Sequence, residues 1–132
     1  MPSDGLISVQ SRASARETLD RLLAALATRK LTVFAHVDHS AGAASMGLSL
    51  RPTDVVIFGN PKGGTALMQD HQSAGIDLPL KALVWEDAEG KVWLTYNDPA
   101  WIADRHDLGA ASAAAVKAIS ELLGAIAQET TQ

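Results

Sequence analysis

The chain contains no cysteine. Disulfides, thiolate metal sites and cysteine-based redox or nucleophilic chemistry are therefore excluded. Aromatic residues make up only 5% of the 132 residues, although Trp85, Trp93 and Trp101 are among them and cluster between residues 85 and 101. No stretch approaches the ~18 consecutive apolar residues of a membrane span. The start, Met1-Pro2-Ser3-Asp4-Gly5, lacks the basic-then-apolar pattern of a secretory signal. These absences predict a cytoplasmic protein that does not enter a membrane. Basic residues are not in excess, and the net charge of -4 argues against a nucleic-acid partner. The densest basic set, Arg12, Arg16, Arg21, Arg29 and Lys30, is interleaved with Glu17 and Asp20, as on a solvated helix face. Walker A, dinucleotide and Gly-x-Ser-x-Gly signatures are absent.

What remains is ordinary globular composition, 47% apolar and 20% charged. The length predicts one domain over residues 1–132, with its core from about residue 5 to 127. Leu6 to Gln10 reads as a first strand. Ser14-Ala15-Arg16-Glu17 has the capping-box pattern, in which the serine accepts from a first-turn N–H and the glutamate reaches back. Leu19, Leu22, Leu23 and Leu26 then give a buried helical stripe to about Arg29. Leu31 to Val37 reads as a strand with Phe34, His36 and Asp38 on one face. Residues 40–48 form a short helix or loop. Val55 to Phe58, continuously apolar, suits a central strand. Lys62 to about Gln72 reads as a helix stopped by Gly75. Asp77 to Lys81 forms an extended, proline-stiffened lead-in. Leu83–Glu86 and Lys91–Tyr96 make a hairpin around Asp87-Ala88-Glu89-Gly90. Asp98-Pro99 opens a short helix ending near His106. A last helix spans about Ala110 to Gln128, with Val116, Ile119, Leu122, Leu123 and Ile126 as its stripe. The three tryptophans predict one aromatic patch. The order predicts an α+β fold: a mostly antiparallel sheet with two long amphipathic helices on one face. A homodimer would cover the other face.

Several of these residues carry a wider pattern. Asp38-His39, Phe58-Gly59-Asn60-Pro61, Gly64-Thr65, Leu78-Pro79-Leu80-Lys81 and Tyr96-Asn97 together resemble the family of domain of unknown function 302, over roughly residues 5 to 127. The resemblance implies a β-α-β(4)-α fold of TATA-binding-protein-like topology. It implies no activity, because fold does not imply function.

The residues themselves nominate two polar segments. His36-Val37-Asp38-His39 combines imidazole and carboxylate ligands suited to zinc, iron, nickel or copper. His36 and Asp38 share a strand face, and His39 joins them where the strand breaks. Further ligands would have to come from His71, Asp77 or His106. A haem held axially by His36 or His39 is a narrower version. Asn60-Pro61-Lys62-Gly63-Gly64-Thr65 follows a strand and opens a helix, so its N–H groups and Lys62 could cradle an anion. Lys81, beside a rigid segment, could pair with Asp38 or Asp77. The resulting expectation is a pocket for a small polar or anionic ligand, lined by His36, Asp38, His39, Asn60, Lys62, Gly64, Thr65 and Lys81. The alternatives are an enzyme, or a metal or haem protein, built on His36, Asp38 and His39, and an interaction protein without a ligand. No cofactor is specified by the residues.

Overall fold

The computed structural model describes residues 4–132, so Met1 to Ser3 of the expected leader-free start lie outside the described residues. The elements run β1 (Leu6–Ser11), α1 (Ala15–Thr28), β2 (Thr32–Asp38), α2 (His39–Ser45), β3 (Thr53–Gly59), α3 (Pro61–Asp70), a 3-10 turn (Gln72–Asp77), β4 (Leu80–Glu86), β5 (Val92–Asn97), α4 (Pro99–Arg105) and α5 (Ala113–Thr131). The five strands form one sheet in the order β1-β5-β4-β3-β2. Every neighbouring pair is antiparallel. This is the expected α+β arrangement, with the chain crossing by α1 from one sheet edge to the other.

Strand periodicity decides which side chains enter the core. Val56 and Phe58 of β3, Val84 of β4, and Leu94 and Tyr96 of β5 are buried together with Leu22 and Leu26 of α1 and Leu123 and Ile126 of α5. Intervening residues face the opposite side. There Trp85 and Trp93 stack with centroids 6.5 Å apart, and Trp85 Nε1 donates to Thr95 Oγ1 at 2.9 Å. Trp101 stands apart, under Gly5 and beside the Arg105 guanidinium, so the tryptophans form two groups rather than one patch.

Local signals are obeyed with instructive exceptions. Ser14 caps α1 by accepting from Glu17 N at 3.1 Å. Glu17 does not reach back, because its carboxylate takes Arg21 at 2.8 Å instead. Asp98 caps α4 and Pro99 opens it, as read. In the hairpin, Asp87 accepts from the N–H groups of Glu89 and Lys91, and Gly90 supplies the left-handed position at φ 80°. Helix α3 stops at Asp70, before the predicted end, and Gly75 falls within the 3-10 turn instead of ending the helix. Asp70 is engaged across the fold: it accepts from Gly109 N at 3.0 Å and Ser112 Oγ at 2.7 Å. The same bonds hold residues 109–112 out of α5, which starts three residues later than its alanines predict and runs past Gln128 to Thr131. Asp77 belongs to the 3-10 turn, so the extended lead-in begins only at Leu78, and the Leu78–Pro79 peptide is cis.

Candidate functional site

A cavity of about 310 Å³ opens between the start of α3, the Leu78-Pro79-Leu80 segment, the β2 edge and α5. Its walls are Leu31, Phe34, Met68, Leu78, Leu80, Ile119 and Leu122, with Gly59, Gly63, Gly64 and Gly75 thinning them. A Cβ on Gly75 would lie a tight 3.2 Å from Met68 Sδ, whereas one on Gly64 would lie 3.6 Å from Leu78 Cδ1, an ordinary contact. Asn60, Pro61 and Thr65 complete the lining. Size and apolar walls are those of a small-molecule site.

Of the eight residues predicted to line a pocket, Asn60, Gly64 and Thr65 do so. The anion cradle itself is already occupied from within. Asn60 Oδ1 accepts from Lys62 N at 3.0 Å, and Asn60 O accepts from Gly63 N and Gly64 N. The first-turn donors of α3 are thus consumed by its own cap. Thr65 Oγ1 donates to Pro61 O at 2.6 Å. Asn60 keeps its amide N–H groups, which are donors. Lys62 does not line the cavity. Lys81 points to the far side of the sheet, because its neighbour Leu80 lines the cavity and strand residues alternate. It pairs with neither predicted carboxylate: Asp77 is taken by Arg105 and His106, and Asp38 by α2.

The His36–His39 segment is placed away from the cavity lining, on the β2 edge. His36 Nε2 meets Asp54 Oδ1 at 2.9 Å, diagonally across the β2–β3 ladder. Asp38 caps α2, accepting from Ala41 N at 2.9 Å and Ser40 Oγ at 2.7 Å. The Ala41 amide first, then the Ser40 hydroxyl, hold its carboxyl below the ordinary range. His39 is the first residue of α2. Among the described residues no three His, Asp or Glu side chains converge to hold a metal, so the strand pair His36 and Asp38 is not joined by a third ligand. The residues suggested to complete that set are elsewhere. His71 lies 3.4 Å from Asp70, and His106 and Asp77 bind each other.

That last pair belongs to a relay not read from the sequence. His106, buried at the end of α4, has Nε2 at 2.6 Å from Asp77 Oδ2 and Nδ1 at 2.9 Å from Ser73 Oγ. Arg105 Nη1 reaches both Asp77 oxygens, at 3.1 and 3.2 Å. An ionised carboxylate only accepts, so Nε2 is the ring nitrogen that donates to Asp77, and in the neutral tautomer this leaves Nδ1 to accept from the Ser73 hydroxyl. Ser73 and His106 are far apart in sequence, and only the packing of the 3-10 turn against α4 brings them together.

A family model described as domain of unknown function DUF302 matches residues 7–127. The chain belongs to this family. The DUF302 fold is seen in a crystal structure of an uncharacterized conserved protein of the family from Bacillus stearothermophilus. It covers 98% of this chain and all of its own, at a TM-score of 0.85 and 18% identity. Curated relatives are closer in sequence. The fluoride-specific ion channels FluC 1 of Brucella suis and FluC 1 of Brucella abortus are each 55% identical over 115 residues, 87% of this chain. The match takes in only 45% and 43% of those two proteins, so the chain spans less than half of their length. Among the described residues no helix is long and apolar enough to cross a membrane.

Proposed function

We propose that this DUF302 chain binds a small amphipathic molecule, its apolar body in the cavity and a hydrogen-bond acceptor facing the Asn60 amide. The observation that carries the reading is the apolar cavity beside Gly64 and Leu78. Seven large apolar side chains favour a hydrocarbon or aromatic body, and the internally consumed α3 donors disfavour a bare anion. Thermal-shift titration with octanol, octanoate, phosphate and fluoride tests it. Fluoride enters because the Brucella relatives are named for it. Octanol and octanoate should raise the melting temperature in proportion to occupancy, and the two inorganic anions should not. A shift with phosphate or fluoride, and none with octanol or octanoate, would replace the amphipathic reading by an anion site.

A second reading rests on the Ser73–His106–Asp77 relay. Base, orienting carboxylate and exposed hydroxyl are in the roles of a nucleophilic triad, which is recognised by geometry and not by sequence order. A fluorophosphonate reports on it directly. Ser73 Oγ attacks phosphorus, His106 Nδ1 takes the proton, and the P–F bond breaks with fluoride leaving. An adduct mapped to Ser73 and lost in His106→Gln supports an enzyme; an unlabelled Ser73 leaves the relay as a tie between the 3-10 turn and α4.

A further inference from the structure

The strongest unexplained feature is the β2 edge. All seven residues of β2 are exposed, unlike those of β1, the other edge strand, where Ile7, Val9 and Ser11 are wholly or partly buried. An unpaired edge is a template for another strand, and proteins blunt such edges with charged side chains, Pro, bulges or short length, of which β2 has the bulge and Asp38 at its end. β2 has neither Lys nor Pro and is seven residues long. Its bulge lies between Val33 and Ala35, which puts Phe34 at the irregular position, and Ala35 to Asp38 keep regular register with β3. The exposed apolar surface is concentrated here too. Val33, Phe34 and Val37 of β2, with Met46, Leu48 and Leu50 just beyond α2, are between 41% and 76% exposed. Elsewhere among the described residues only Leu6 and Ile76 are large apolar side chains of comparable exposure.

We infer that β2 pairs antiparallel with β2 of a second copy of this chain about a two-fold axis at Ala35, joining the two sheets edge to edge. The occupant follows from the strand's own pattern. Reversed about Ala35, Thr-Val-Phe-Ala-His-Val-Asp sets Phe34 against the partner's His36 and Thr32 against the partner's Asp38. No like charges are brought opposite one another, as an isologous interface requires. The area is adequate. At roughly 150–200 Å² for a fully exposed side chain of this size, covering all six would bury about 500–650 Å² per protomer and about 1,000–1,300 Å² for the pair, the lower edge of stable interfaces. The dimer expected from sequence was to cover a sheet face. The exposure pattern directs it to the sheet edge, where Phe34 also walls the cavity.

The cysteine-free chain gives a direct test. Paired antiparallel residues have Cα atoms roughly 4.5–5.5 Å apart, within disulfide range. Ala35→Cys should therefore form an intersubunit disulfide on mild oxidation, and Leu83→Cys, in β4, should not. By sedimentation equilibrium the wild-type chain should weigh twice its 13.9 kDa. Val37→Lys combined with Leu48→Lys should be a monomer with unchanged far-UV circular dichroism, both sites being exposed in the single chain. A monomeric wild type, a dimer that survives both lysines, or crosslinking through Leu83→Cys in place of Ala35→Cys would overturn the inference.

Discussion

Gly64 separates the energetic and functional consequences of the cavity. It is the fourth residue of α3, and its φ lies outside the left-handed region, so a side chain there is not strained. A Cβ would sit 3.6 Å from Leu78 Cδ1 and 3.9 Å from Met68 Cε, ordinary contact distances. Gly64→Ala thus gains helix propensity, about 0.5–1 kcal/mol, without a clash. The melting temperature should rise by about 2–5 °C. Gly64→Leu goes further. Its side chain takes ~100 Å³ at interior packing density, a large share of the roughly 310 Å³ available. Octanol affinity, measured by isothermal titration, should fall at least about tenfold, or about 1.4 kcal/mol, while the fold persists by circular dichroism. If Gly64→Ala lowers the melting temperature, the wall geometry described for Leu78 is wrong. If Gly64→Leu binds octanol as tightly as the wild type, the cavity is not the site.

Three further substitutions probe other parts of the fold. Thr130 is fully buried and its Oγ1 has no hydrogen-bond partner among the described residues, so Thr130→Val should stabilise by about 1 kcal/mol in urea denaturation; a loss would reveal a partner for the hydroxyl. Gly5 has φ 85° and a Cβ there would lie 2.5 Å from Trp101, so Gly5→Ala should cost about 2–4 kcal/mol, read by the same denaturation. Asp87 accepts from Trp93 Nε1 at 2.9 Å, and that bond, before those from Lys91 and Glu89, holds its carboxyl below the ordinary 3.8. A depressed carboxyl stabilises the fold above its ordinary value and stops doing so as pH falls through the lower, folded one. Tryptophan emission should therefore change below about pH 3.8, and Asp87→Asn should remove that transition.

Periodicity and capping carried most of the architecture into view. The leucine stripe of α1, the hairpin around Asp87 to Gly90 and the Asp98-Pro99 start each depend on near neighbours, and local chemistry is enough to place them. Element ends were less legible where a distant residue competes for a cap, as Ser112 and Gly109 do for Asp70. Glu17 failed to complete its box because Arg21, one turn away, took the carboxylate.

The site shows the same division more sharply. Asn60, Gly64 and Thr65 were visible because a strand end followed by a glycine-rich turn is a local pattern. The apolar character of the cavity was not, since Leu31, Phe34, Met68, Leu78 and Leu122 come from four separate segments and carry no pattern in common. His36, Asp38 and His39 read as ligands because adjacency in sequence resembles convergence. The β2–β3 register gives His36 to Asp54, and the start of α2 takes Asp38. Ser73, Asp77 and His106 were individually unremarkable until two helical segments packed together. By itself the sequence determined the five strands and the long helices, because those preferences act over a few residues. The cavity, the relay and the bare edge of β2 were decided only by tertiary structure, because burial and hydrogen-bond partnership depend on which distant segments meet.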